Sequence, residues 1–341
     1  MEIIKPYPIM LRPSGKDYLW GGEQLKRLYG KDRYEELGFL HPLAETWECS
    51  AHPDGPSWVV NGWLRGKSLA EIIDLYPEFL GGKFYATDEN KPTFPVLIKF
   101  IDAAKDLSVQ VHPSDEYARN IEHQPRGKTE MWYVLHAEKG SRLLWGFEHK
   151  VTPEILREHI VKGTLNTDLH YVDVHKGDVF LIESGTVHAL GAGVIVAEIQ
   201  ESSNLTYRLY EYNRKDKNGK LRPLHFEKAC DVLNMAPIHN TSQKPRLTHY
   251  YYGCSREVLC RCKYFETEKI VVTRGFSFTV GGGSFQVVLC LEGEGELETG
   301  MNSKTGENKP VRFSKGNCIF LPAGLGRCHV LGECQVLKVR C

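Results

Sequence analysis

Apolar residues in this chain come in short bursts. Ser57-Trp-Val-Val-Asn61, Val96-Leu-Ile-Lys-Phe100, Gly193-Val-Ile-Val-Ala197 and Gln286-Val-Val-Leu-Cys-Leu291 are typical, and Gly, Pro and Asn separate them. Runs of this length, rich in β-branched residues and bounded by turn formers, make strands. A chain built from them closes into a mostly antiparallel sandwich or barrel. Helices are few and well marked. Ser68-Leu-Ala-Glu71 is a capping box that predicts a helix over 69–76, closed by Pro77. Thr152-Pro153 starts a second that ends near Gly163, and a third is expected over 226–233.

At 341 residues the chain exceeds one ordinary core, so two domains are expected. The polar stretch 238–245 reads as the linker, dividing an N-terminal domain, 1–237, from a C-terminal one, 246–341. A faint internal repeat supports the division. Lys176-Gly-Asp-Val-Phe-Leu-Ile-Glu-Ser-Gly185-Thr-Val-His188 lines up with Lys315-Gly-Asn-Cys-Ile-Phe-Leu-Pro-Ala-Gly324-Leu-Gly-Arg327. Upstream, Val288-Leu-Cys-Leu291 parallels Tyr133-Val-Leu-His136, which sets Phe285 opposite Glu130 and Arg327 opposite His188. The second copy thus reads as the same barrel unit without its ligating side chains.

Those side chains are the chemical signal of the first copy. Gln110-Val-His112-Pro113, Lys128-Thr-Glu130 and Gly185-Thr-Val-His188 bring two histidines, one carboxylate and one carboxamide onto strands. Gln110 and His112 are two apart, so on a strand they share a face. Two His and one Glu suit one divalent metal and leave coordination open for water or substrate. The same donors also fit a non-haem iron oxygenase or a non-catalytic barrel that binds sugar. The oxygenase pattern needs His-x-Asp/Glu, whereas the partner of His112 is Gln110.

Other readings are exclusions. Forty-three basic residues balance 43 acidic ones, so no global field favours nucleic acid or an anionic membrane. Met1-Glu-Ile-Ile-Lys-Pro-Tyr-Pro lacks the apolar run of a signal peptide, and no stretch approaches a membrane span, so a cytoplasmic protein is expected. Cys260-Arg-Cys262 has no partner pair, no CxxC occurs, and Cys290, Cys318 and Cys328 sit in apolar strands. The ten cysteines therefore read as reduced thiols, mostly buried.

Gly177, Glu183, Gly185 and His188 are spaced as in the second cupin motif, with Glu183 where that motif usually has Pro. Gln110-Val-His112-Pro113, Lys128-Thr-Glu130, His188-Ala-Leu190, Tyr207-Arg208-Leu-Tyr-Glu-Tyr and Glu45-Thr-Trp47-Glu-Cys-Ser-Ala-His-Pro53 carry the likeness further. Together they resemble the type I mannose-6-phosphate isomerase family in its short bacterial form, from about Trp20 to the end. The resemblance implies a mainly β protein of two cupin-like jelly-roll barrels with a few short helices. It implies one zinc per chain, held by Gln110, His112, Glu130 and His188. It also implies a sugar phosphate substrate, mannose 6-phosphate interconverting with fructose 6-phosphate, in a monomer or homodimer. Arg208 stands at the family's catalytic arginine, and Lys128 and Glu198 at active-site positions. One departure is Asn204, where the family usually carries Asp; an amide cannot act as a base at neutral pH.

Moving a proton between C1 and C2 of a sugar develops negative charge on its oxygens, which a metal stabilises as a Lewis acid. Arg208 cannot deprotonate and supplies fixed positive charge. Lys128, two residues before Glu130, falls on the metal's face as a proton carrier, and Glu198 serves as base or orienting acceptor. Lys99 and Ser108 are candidates for phosphate contact, Glu45 and Trp47 for the pocket wall, and His52 and His136 for loop histidines.

Overall fold

A computed structural model describes residues 5–84, 93–215, 219–239, 242–300 and 310–341. It is mainly β, arranged in three antiparallel sheets. One six-stranded sheet runs in the order Val179–Ile182, Glu130–Ala137, Val194–Glu201, Val96–Ala103, Glu45–Cys49, Ser14–Lys16. A five-stranded sheet runs Tyr207–Tyr210, Val109–Val111, His188–Leu190, Arg142–Phe147, Leu169–Asp173. The two meet through a shared apolar cluster that includes Ile101, Val134 and Phe180 of the first and Leu143 and Leu190 of the second. This is the N-terminal cupin-like barrel.

Period-2 alternation then decides what faces the barrel interior. Every residue of Val96–Ala103 and Val194–Glu201 is buried, because both faces of these central strands are covered. Val96, Ile98 and Phe100 point into the largest core of the protein, as do Ile195, Ala197 and Ile199. Ile101, Ala103, Val194 and Val196 point the other way, into the barrel. The same parity sends Lys99, Glu198, Glu130 and Trp132 inward. Four side chains of the candidate site are therefore placed by strand phase alone.

The third sheet has ten strands and is built around two long ones, Gln286–Thr299 and Gly326–Arg340. It borrows two strands from the beginning of the chain. Ile9–Arg12 pairs with Cys318–Leu321, Ile9 opposite Phe320, and also with Trp58–Val59. The largest core likewise joins both halves: Phe285 lies between Phe94 and Phe320 at ring-centroid distances of 5.0 and 5.3 Å. A chain ending at Pro237 would expose this core, at about 1.5–3 kcal/mol for each large apolar side chain returned to water. Such a chain is expected to elute as aggregate in size-exclusion chromatography. A monodisperse product with a cooperative melt would contradict that.

The internal repeat is real in topology, but its register corrects the sequence alignment by one residue. Glu130 pairs with Ile182 in the first copy, and Gln286 pairs with Leu321 in the second, so Gln286 rather than Phe285 occupies the position of Glu130. Both copies carry a bulge at the same place, which skips Leu135 in one and Leu291 in the other. In the same sequence register the turn residue Gly140 falls opposite Gly295. Yet Gly295 lies within an unbroken strand, so it marks no turn there. Arg327, opposite His188, is exposed.

The three expected helices form as Leu69–Leu75, Pro153–Lys162 and Phe226–Val232. Ser68 and Glu71 complete the capping box, and Gly163 closes the second helix in a left-handed conformation. Gln24–Tyr29 and Asp115–Ile121 are helices that the sequence pattern did not announce. Part of the 238–245 stretch lies outside the described residues; Ile238 donates its N–H to Phe147 O at 2.9 Å. Among the described residues, no helix is long and apolar enough to cross a membrane.

Candidate metal centre and active site

Two rows of cross-strand neighbours face each other across the barrel. In the five-stranded sheet Arg208 pairs with Gln110, and Gln110 with His188. In the six-stranded sheet Trp132 pairs with Glu198, Glu198 with Lys99, and Lys99 with Trp47. Directly opposite residues on paired strands project from one face, so each row is a line of side chains.

Where the rows meet, one ligand atom each from His112, Glu130 and His188 lies within 4.8 Å of the other two. Among the described residues this is the one such group of three. Its hydrogen bonds define which lone pairs point inward. His112 Nδ1 is 2.8 Å from Leu205 O, and His188 Nδ1 is 2.9 Å from Thr186 O. A carbonyl can only accept, so both rings carry their proton on Nδ1 and aim an Nε2 lone pair at the centre. Each Nε2 lies 3.4 Å from a different oxygen of Glu130.

Burial pushes His112 down to about 3, and the Lys128 ammonium adds to it against the pull of Glu130. Burial also lowers His188, again opposed by Glu130. Both rings are therefore neutral. Burial would raise the carboxyl of Glu130, but Lys128 and His112 hold it well below its usual range. Two neutral lone pairs and one carboxylate converge, and Glu130 Oε1 has no hydrogen-bond donor of its own. That donor set fits a divalent cation. Gln110 joins from the same face: its carboxamide nitrogen is 3.3 Å from His188 Nε2, while Ser108 Oγ donates to its Oε1 at 3.1 Å. Lys128 Nζ borders the group, 2.6 Å from Glu130 Oε2 and 3.0 Å from His112 Nε2.

Glu198 stands one row away. Its Oε2 accepts from Trp132 Nε1 at 2.8 Å, and its Oε1 faces Lys99 Nζ at 3.3 Å. Burial raises its pKa, and the charge of Glu130 adds to this against Lys128 and Lys99. Burial works against the ammonium of Lys99, yet Glu45 and Glu198 more than offset it and raise its pKa. Glu45 lines the site, whereas Trp47 lies behind it: Trp47 is fully buried, its ring lies 4.9 Å from Lys99 Nζ, and its Nε1 donates to Glu45. Ser108 is buried at the edge, His52 packs edge-on against Trp47, and His136 is exposed.

A cleft opens onto this centre, and Gln110, Lys128, Glu198, Lys99, Arg208 and Asn204 all line it. Arg208 Nε lies 3.8 Å from Glu211, which also receives Arg214 at 2.6 Å and Arg222 at 3.0 Å. Burial and the neighbouring Arg222 lower the Arg208 pKa, although Glu211 opposes them. Asn204 donates its amide to Asp54 at 3.0 Å. Arg222, Tyr18 and Thr206 also line the cleft. None of these three stands out in the sequence, since each reaches the cleft from a segment without a recognisable motif.

Residues 9–141 match the catalytic-domain family of type I phosphomannose isomerase, and 256–341 match the mannose-6-phosphate isomerase cupin domain. The mannose-6-phosphate isomerase ManA of Bacillus subtilis is 34% identical over 340 residues, covering 96% of this chain and 98% of that protein. A crystal structure of the mannose 6-phosphate isomerase from Bacillus subtilis superposes with a TM-score of 0.84 at 31% identity, over 97% of this chain and 99% of the other. A zinc-bound holo mannose 6-phosphate isomerase shares the fold at 16% identity, with a TM-score of 0.75 over 97% of this chain and 98% of the other. The chain belongs to the type I mannose-6-phosphate isomerase family of aldose–ketose isomerases.

Proposed function

We propose that the protein interconverts mannose 6-phosphate and fructose 6-phosphate by proton transfer between C1 and C2 through an enediol, with one zinc ion per chain. The observation that carries this is the convergence of two neutral imidazoles and Glu130 behind Gln110 and Lys128, which line one cleft together with Glu198 and Arg208. His112, His188 and Glu130 would hold the ion. Gln110 is the fourth donor once its carboxamide turns over to present oxygen, an exchange that leaves Ser108 Oγ as an acceptor for the amide nitrogen. Zinc at this position supplies Lewis acidity for negative charge developing on the sugar oxygens.

The chain's own groups supply the rest. Glu198 has a raised pKa and is oriented by Trp132, which suits it to move the proton between C1 and C2. Asn204, tied to Asp54, cannot take that part. Lys128 is the donor and acceptor for the sugar hydroxyls. Arg208 and Arg222 present fixed positive charge from the opposite sheet edge to the enediolate and the phosphate.

A coupled assay of fructose 6-phosphate to mannose 6-phosphate, run on protein of known metal content, tests the whole. Glu198→Gln is expected to lower kcat by about 10²–10⁴, the scale of a lost general acid or base, with metal retained. Arg208→Lys is expected to keep metal and fold while kcat falls by about 10²–10³, as for removal of one preorganised electrostatic group. A loss confined to KM would instead assign Arg208 to uniform substrate binding.

A further inference from the structure

The catalytic machinery leaves unused one acidic pair, the buried Glu201 and the partly buried Asp115. Lys128 follows a stretch of irregular backbone, and three consecutive amides there are each captured. Gly127 N–H donates to Asp115 Oδ1 at 2.9 Å, Lys128 N–H to Pro113 O at 3.0 Å, and Thr129 N–H to Glu201 Oε2 at 2.9 Å. The approach is close: a Cβ on Gly127 would come within 2.5 Å of Pro113 O. Glu201 is 1% exposed, and its second oxygen finds no hydrogen-bond donor. Its neighbour on that side is the carboxyl of Asp115.

We propose that Asp115 and Glu201 share one proton and act as a clamp on the 127–129 backbone, positioning Lys128 against Glu130. The free Glu201 oxygen is shut off from water without a donor and lies beside the partly exposed Asp115 carboxyl, so a proton between the two acceptors satisfies both. The surroundings decide which. Asp115 Oδ2 has Tyr264 Oη at 3.3 Å, Lys263 Nζ at 3.7 Å and Arg119 at 3.9 Å. Burial would raise its carboxyl, but the Gly127 amide, Glu201, Lys263 and Arg119 hold it down as a carboxylate. Glu201 has only the Thr129 amide and the charge of Arg126 in its favour, and burial with the nearby Asp115 pushes it up to about 8. The proton therefore sits on Glu201. Tyr264 and Lys263 belong to the second barrel, which thereby helps to set the catalytic lysine.

A carboxyl with a raised pKa holds its proton below that value, so the clamp is intact at neutral pH and opens as pH rises through about 8. The two charges then repel and the amides on either side of Lys128 lose their anchors. A displacement of about 1 Å at a reacting group costs about 10²-fold in rate. Neither acid touches substrate in this scheme; both are positioning residues.

The clamp rests on the role of Lys128 given above, and the experiment separates the two. In zinc-loaded protein, Glu201→Gln keeps both hydrogen bonds, because its Oε1 accepts from Thr129 and its Nε2 donates to Asp115. It is expected to hold kcat at pH 7 within about threefold and to lose the wild-type fall in kcat above pH 8. Glu201→Ala is expected to lose about 10²-fold in kcat with KM and metal content unchanged. A wild-type alkaline limb in Glu201→Gln, or a loss there as deep as in Glu201→Ala, overturns the clamp. If Glu201→Ala does not fold, the pH profile of Glu201→Gln decides alone. Lys128→Met is the companion: full activity in it removes the role of Lys128, whatever Glu201→Gln shows.

Discussion

His188→Ala protein is expected to come out of purification without its metal and without isomerase activity. His188 supplies one of the four proposed donors, and the three that remain no longer close the site. The rate should fall by at least about 10²–10³, the cost of one preorganised charge-stabilising group. Stability carries a second signature. A ligand bound only to the native state adds about 2.7 kcal/mol when present at a hundred times its Kd. A chelator should therefore lower the melting temperature of the wild type and leave His188→Ala unmoved. Stoichiometric zinc in the purified variant by elemental analysis would show that the donors have been misassigned.

The next largest effect is expected far from the cleft. Lys31 has no solvent exposure, and its Nζ lies 2.7 Å from both oxygens of Glu48 and 2.6 Å from Gly316 O. Glu48 is equally buried and also accepts from Thr46 Oγ1. One ammonium thus ties the strand Glu45–Cys49 to the turn before Cys318–Leu321, across the two halves. Burying such a pair gains little over an apolar pair, but breaking it strands a charge. Lys31→Met should cost about 3–5 kcal/mol. In a chain of 341 residues that is a drop of about 4–7 °C in Tm. Lys31→Met combined with Glu48→Leu should recover most of the loss. Equal melting temperatures for the wild type and Lys31→Met would remove the pair from the account of stability.

What could be read in the sequence was whatever depends on local period. Gln110 and His112 share a face because they are two apart, and Lys128, Glu130 and Trp132 do so for the same reason. The capping box at Ser68 and the turn glycine before His188 are equally local. Contacts made by pairing across distant strands left no trace. Arg222 reaches the cleft beside Arg208 only through Glu211, and Glu201 meets Asp115 only after the sheet is assembled. The one-residue error in the repeat has the same origin. Glycine is a turn in one copy and a mid-strand residue in the other, and only the hydrogen-bond ladder tells them apart.

The borrowed strand Ile9–Arg12 bears on how the chain comes off the ribosome. Its partner Cys318–Leu321 is translated long after it, so one edge of this strand stays open while nearly everything between is being made, and only the short strand Trp58–Val59 can cover the other edge early. An apolar strand waiting with one open hydrogen-bonding edge invites wrong pairings, and the closure it awaits is strongly non-local. The N-terminal barrel can gather its two sheets during synthesis. Its outer face is covered only after Cys318–Leu321 has been made, which makes that late closure, rather than early collapse, the vulnerable moment in the life of this protein.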